Sequence, residues 1–297
     1  MQRAIYYKLQ AIAARFALSF FSRFSFGKVR TIAVIAASIA WFFPSKSKKI
    51  TLKNIELCFP ELSLPEQRKL ARKSLIESAK TAMEMPALYM WENEKVLRFV
   101  DRAENIELFE NAIAKNMGAI ILAPHHGNWE MLRHFLASRS RFLTLFQPLK
   151  SEELDKLVIE LRAKAGVDVQ PTTQHGIAKM FKDLRAGSVT AILPDSSPKS
   201  GAVFAPFFGV ETYTATLLQK AAQKTRSAVI CCAAIRTKNG FTIRFSEVGD
   251  DIYSENAREA ATELNRAIEE CVRTDPAQYF WEYRRFKIRP ANEPSIY

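Results

Sequence analysis

Short apolar runs recur along the chain, and helical spacing separates most of them. Gly118–Ala123 (GAIILA), bounded by Gly and Pro, reads as a buried strand, and Arg141–Phe146, Val167–Gln170, Ser188–Leu193 and Ala228–Ile235 read as further strands. Asn128–Ser138, the spacing Leu154/Leu157/Val158/Leu161, the spacing Ile177/Met180/Phe181/Leu184, and Leu217–Lys224 read as the intervening helices. Ala257, Leu264, Ile268 and Val272 mark a last long helix. Strands that alternate with helices predict an α/β fold, with a mostly parallel central sheet flanked by helices on both faces. Asn239-Gly240 predicts a tight turn, after which Phe241, Ile243 and Phe245 alternate as a hairpin partner. Upstream, Ser63-Leu-Pro-Glu66 is a capping box that opens a long helix, expected to kink or end at Pro86. A second helical stretch is expected over Trp91–Val100.

The N-terminus is of another character. Ten of the 43 Lys and Arg lie in residues 1–55 with none of the 31 Asp and Glu, so the other 242 residues carry a formal excess of only two. The run Thr31–Phe43 has no charge, but 13 residues of helix span about 20 Å, short of the roughly 30 Å hydrocarbon core. A basic, apolar segment of this kind suits an amphipathic membrane anchor with its cations at an anionic leaflet. Nucleic acid, which needs the charge on a folded face, is not expected. Arg15 interrupts the apolar core that a cleaved signal peptide needs. The expected organisation is an anchor over 1–50 and one catalytic-sized domain over 51–297. Cys58, Cys231, Cys232 and Cys271 show no metal or disulfide spacing and read as small buried hydrophobes.

Two of the four histidines fall in Pro124-His-His-Gly-Asn-Trp-Glu130, after a buried strand and before a helix, where open α/β sheets place ligands. With Asn128 as N-cap, Glu130 sits in the first helical turn, where the helix dipole favours its ionised form. Such a carboxylate can orient His125 and stabilise the imidazolium, which suits a general base acting on an alcohol. The chain has no G-x-S-x-G, so direct attack by a bound hydroxyl is more economical than a covalent enzyme intermediate. Backbone N–H groups at Gly127 and Asn128 are candidate oxyanion donors. A competing pattern, His126/Glu130/His134 at i, i+4 and i+8, would give a metal-dependent hydrolase, although no H-E-x-x-H is present.

The H-x4-E block resembles that of the lipid A late (lauroyl/myristoyl-type) acyltransferases, within the wider lysophospholipid and glycerolipid acyltransferases. Three more blocks are similar and collinear: Asn54-Ile-Glu-Leu-Cys-Phe-Pro-Glu-Leu62, Leu193-Pro-Asp195 followed by Val203-Phe-Ala-Pro-Phe-Phe-Gly209, and Pro276–Trp281 with Arg284-Arg-Phe-Lys287 and Arg289-Pro290. The resemblance implies a glycerolipid-acyltransferase-like fold without cofactor or metal, and transfer of an acyl chain from acyl-carrier protein to a hydroxyl of a lipid A precursor. It implies the cytoplasmic face of a Gram-negative inner membrane. His125 takes the base role, Glu130 the orienting role, and Asp195 a place beside the acceptor. Asn128, Arg162, Arg284 and Arg285 complete the expected substrate contacts. Acidic acyl-carrier protein or a phosphorylated lipid would be drawn to Arg284, Arg285, Lys287 and Arg289.

Where many members carry Gln after the central Asp, this chain has Ser196, and where they often read Tyr-Arg-Pro it has Phe146-Gln147-Pro148. Arg162 or Lys150 is then the substitute phosphate contact. Phe204, Phe207 and Phe208 are candidate walls of an acyl slot. The alternatives are another membrane-lipid acceptor (a lysophospholipid, aminolipid or glycolipid), the metal-dependent hydrolase, or a catalytically silent lipid-binding relative.

Overall fold

The computed structural model describes residues 2–149 and 151–297. Seven strands form the central sheet: β1 (Val100–Glu104), β2 (Ala119–Leu122), β3 (Phe142–Phe146), β4 (Asp168–Pro171) and β5 (Val189–Ile192), then β8 (Ala228–Arg236) and β9 (Phe241–Glu247). Between β5 and β8 the chain makes a separate hairpin of β6 (Ala202–Phe207) and β7 (Val210–Ala215). The sheet order is β1-β9-β8-β2-β5-β3-β4. From β8 to β4 all pairings are parallel, whereas β9 folds back antiparallel on β8 and pairs in parallel with β1.

Helices cover both faces because the central strands are apolar on both. In β2, Ala119 and Ile121 pack with Met131 and Phe135 of α7 (Trp129–Ala137) and Leu88 of α4 (Leu64–Met90). Ile120 and Leu122 meet the other core, with Met180 of α9 (Gln174–Arg185), Leu218 of α10 (Leu217–Thr225) and Leu264 and Ile268 of α11 (Ala257–Thr274). Each such side chain contributes about 1.5–3 kcal/mol by burial. α5 (Asn93–Leu97), α6 (Ile106–Ala114) and α8 (Glu152–Ala163) complete the flanks.

Three local expectations change. Only Asn93–Leu97 of the Trp91–Val100 stretch is helical, and β1 starts at Val100, with Asp101 and Arg102 exposed because it is an edge strand. Of the two outcomes expected at Pro86, an end is excluded, since α4 continues to Met90. Phe207 and Phe208 do not face an acyl slot: they are buried against Tyr279, Trp281, Phe59 and Phe286, while Phe204 stacks on Tyr213.

The N-terminal third supplies α1 (Gln2–Phe21), α2 (Phe26–Ala40) and α3 (Lys46–Cys58). Among the described residues no helix is long and apolar enough to cross a membrane. The inner face of α2 (Phe26, Val29, Ala33) is buried. Its outer face is not: apart from Leu64, Met117 and Leu149, all the exposed large apolar side chains among the described residues lie between Tyr6 and Phe43.

A buried ion cluster joins this segment to the sheet. Glu84 on α4, fully buried, accepts from Arg30 Nε on α2 (2.6 Å), from Arg236 Nε and Nη2 on β8 (both 2.7 Å) and from Asn128 Nδ2 (2.8 Å). Burial alone would raise the Glu84 pKa, but the two guanidiniums bring it below the ordinary value. Glu84→Ala leaves two buried guanidiniums without their shared carboxylate, and should cost about 3–5 kcal/mol. A lower urea midpoint at unchanged m-value checks this. Arg15→Ala, whose partner Glu160 is half exposed, should change stability by less than about 0.5 kcal/mol.

Candidate active site

Strand register assembles the site. β2 and β5 are parallel neighbours with Leu122 opposite Ile192. His125 lies three residues beyond Leu122, and Asp195 three beyond Ile192, so the two loops leave the sheet side by side. His125 Nδ1 stands 2.6 Å from Asp195 Oδ1, and Asp195 Oδ2 accepts the His125 backbone N–H at 2.8 Å. A carboxylate on Nδ1 fixes the proton there, and the lone pair on Nε2. Trp129 and Phe280 flank the ring at centroid distances of 4.9 and 6.3 Å. The Asp195 side chain is 2% exposed and that of His125 is 28% exposed, so the imidazole alone is open to reactants.

Gly127 lets the loop turn away. Its φ is +67°, and a Cβ there would lie 2.0 Å from the Ala234 carbonyl oxygen of β8. That close approach places the Gly127 N–H on Gln278 O (3.0 Å) and the Asn128 N–H on Ala234 O (2.9 Å). Both candidate oxyanion donors are therefore already used.

A cavity of about 180 Å³ opens beside His125 and Asp195, lined also by Asn54, Ser196, Tyr279, Phe280, Trp281, Tyr283 and Arg285. Asn54 on α3 donates to Trp281 O (2.7 Å) and Tyr283 O (2.8 Å), closing the far wall. Arg285 is buried, donating to Tyr213 O (3.0 Å) and Thr214 Oγ1 (3.1 Å). It has no carboxylate within 4.0 Å among the described residues, and its Nε is buried without a partner. Burial lowers its pKa.

The other expected contacts lie elsewhere. Glu130 does not bond His125: it is buried on α7, accepting from Arg133 Nε (3.1 Å) and Arg162 Nη2 (2.5 Å). Burial pushes its pKa up and the two guanidiniums pull it below the ordinary value. Asn128 caps α7 without a side-chain capping bond and is fully buried, its amide held by Glu84, so it does not reach the cavity. Arg162 is engaged on Glu130. Arg284 is exposed and lies over the Tyr297 ring. Lys150 lies outside the described residues. His126, Glu130 and His134 do not converge on a metal: His126 Nε2 donates to Asp275 O (2.9 Å) and His134 Nε2 to Leu88 O (2.7 Å). No group of three or more ligating side chains comes together among the described residues. Sequence reasoning passed over Asn54, Tyr279 and Tyr283 as wall residues. Asn54 and Tyr279 stand in blocks quoted for the resemblance, which was the available signal.

The family profile for bacterial lipid A biosynthesis acyltransferases matches residues 12–288. The chain belongs to that family. It is an acyltransferase, and its similarity to individual members runs over most of its length. The lipid A biosynthesis lauroyltransferase of Escherichia coli K12 is 25% identical over 264 residues, 87% of this chain and 85% of that protein. The lipid A biosynthesis acyltransferase of Haemophilus influenzae is 26% identical over 279 residues, 89% and 86% of the two chains. The palmitoleoyltransferase of E. coli K12 is 23% identical over 259 residues, 86% and 83%.

Two histidines of this acyltransferase titrate against its stability. Burial takes His126 down to about 4, and burial with Arg133 beside it takes His134 to about 4. Between these values and the ordinary 6.5 the unfolded chain binds more protons, so stability falls as pH drops across that window. Each histidine accounts for about 3 kcal/mol at its acid end. Urea midpoints measured from pH 7 to pH 5 should fall, and His134→Gln, which keeps a donor for Leu88 O, should flatten the slope.

Proposed function

We propose that this acyltransferase moves a fatty acyl chain from acyl-carrier protein to a hydroxyl of a lipid A precursor, with His125 as general base and Asp195 as its orienting carboxylate. The observation that carries the reading is the 2.6 Å contact between Asp195 and Nδ1 of the one histidine open to the cavity. Nε2 takes the acceptor's hydroxyl proton as the oxygen attacks the thioester carbonyl. The tetrahedral intermediate collapses with breakage of the C–S bond, and the imidazolium returns the proton to the departing thiolate. The Arg285 charge, without a carboxylate of its own, favours the oxyanion. Glu130 takes part at a distance, holding α7 through Arg133 and Arg162 and adding to the negative potential at the imidazole.

The surroundings support the substrates. The exposed apolar face of α1 and α2 suits insertion into the cytoplasmic leaflet of a Gram-negative inner membrane, the anchor expected over residues 1–50. Arg284 and Lys287 are exposed next to Tyr283 and Arg285 of the cavity wall, where an acidic carrier protein would dock. The lipid A acceptor rests on the relatives rather than on any cavity residue.

Burial opposes the charged imidazole, but Asp195 overcomes it and raises the His125 pKa above 6.5. The acid limb of kcat/KM should therefore lie above pH 6.5. Asp195→Asn should lower kcat by about 10²–10⁴-fold and move that limb to lower pH. Glu130→Gln should move it less. In cells lacking the protein, lipid mass spectrometry should show lipid A short of one acyl chain, restored by wild type and not by His125→Ala. Unchanged lipid A with an altered phospholipid would move the acceptor, and full rescue by His125→Ala would overturn the mechanism.

A further inference from the structure

On the opposite side of α3 from the catalytic cavity lies a groove of about 630 Å³ between α3, α4 and the end of α2. Leu52, which lines it, and Asn54, which lines the cavity, stand two residues apart and so about 200° around the helix. Its floor is apolar, with Leu52 and Ile76, and its walls carry Lys48, Arg68, Lys69, Arg72 and Lys73. No carboxylate lines it. None of those five cations has a carboxylate within 4.0 Å among the described residues. The nearby acids are engaged elsewhere: Glu66 by the Ser63 cap, Glu56 by Lys53, and Glu77 by Lys80 and Arg236. Lys48 Nζ donates to Trp41 O (2.6 Å) and Lys69 acts on the Glu66 charge, but none of the five cations forms an ion pair, and an anion bound among them relieves their mutual repulsion.

We infer that this groove binds the phosphate-bearing headgroup of an anionic membrane lipid, as a site separate from the reacting centre. The inference rests on the reading of the α1–α2 face as membrane-inserted. Trp41, at one end of the groove, stacks under Lys48 Nζ at 4.4 Å, and the two residues after it, Phe42 and Phe43, are 79% and 62% exposed. With those rings in hydrocarbon, Trp41 and the cations sit at headgroup level, where tryptophan and basic side chains anchor proteins. A concave, apolar-floored cleft fits a headgroup and its first methylenes. The acidic carrier, on the proposed reading, has its own cations in Arg284 and Lys287, next to Tyr283 and Arg285 of the cavity wall.

The test compares flotation of the full-length protein on phosphatidylcholine vesicles with and without phosphatidylglycerol. Wild type is set against Arg68→Gln/Arg72→Gln/Lys73→Gln and against a remote control of equal charge, Lys115→Gln/Lys199→Gln/Lys220→Gln. The groove variant should lose roughly fivefold in partition onto anionic vesicles for each cation removed, with neutral-vesicle binding unchanged and the control near wild type. Inorganic phosphate should displace wild type no better than chloride at equal ionic strength. Equal losses in both triple variants would assign the attraction to net charge and overturn the site. Displacement by inorganic phosphate beyond the chloride effect would make it a free-anion site and overturn the lipid assignment. Unchanged vesicle binding with a raised KM for acyl-carrier protein would hand the groove to the carrier, also overturning it. Loss of wild-type binding to neutral vesicles would instead count against the inserted hairpin.

Discussion

A single buried carboxylate holds the architecture to its site. Glu84 is bound at once by α2, by β8 and by the loop that carries His125, through Arg30, Arg236 and Asn128. Two guanidiniums and one carboxylate leave a net positive charge in the interior, which the second acid, Glu77, offsets through Arg236 at 2.7 Å. Removing any one member strands the others in a low dielectric, so the cluster behaves as a unit. It makes the position of the N-terminal helices and the position of the His125 loop parts of one arrangement. Thr81, one turn before Glu84, adds a bond to Gly127 O at 3.2 Å.

Much of the sheet could be read in the sequence because its central strands are short and apolar on both faces, a pattern few other structures accommodate. β2, β3, β5, β8 and the β8–β9 turn were legible for that reason. β1 was not: Asp101 and Arg102, two consecutive exposed charges of an edge strand, break the apolar alternation between Val100 and Ala103 that a strand reading needs. The β6–β7 hairpin was obscured by Pro206 and by aromatic side chains that serve the core. Both failures are cases in which tertiary position, not local pattern, decides conformation.

The site was legible in its residues and not in its pairing. His125, Glu130 and Asp195 were all candidates, yet proximity in sequence favoured Glu130 as the partner of His125. An H-x4-E spacing across a helix start does not oblige the two side chains to meet. Here the loop turns at Gly127, Glu130 enters the helix with its carboxylate directed at Arg133 and Arg162, and the imidazole stays at the carboxyl end of β2. Its partner comes from 70 residues away, because β2 and β5 are neighbours in register. Strand order is set by long-range packing, which one sequence does not display.

The two carboxylates then divide the electrostatics. In the proposed reaction Asp195, with no cation closer than the imidazole it binds, is free to favour the protonated ring as it forms. Glu130, paired with two guanidiniums, acts on the imidazole less than Asp195 does, and it fixes the first turn of α7 and with it the Trp129 ring that packs on His125 at 4.9 Å. Were the roles reversed, a carboxylate already satisfied by arginines would have to stabilise the imidazolium, and its field would be largely spent. Arrangement of charge partners, more than identity of the acid, decides which carboxylate pairs with the imidazole.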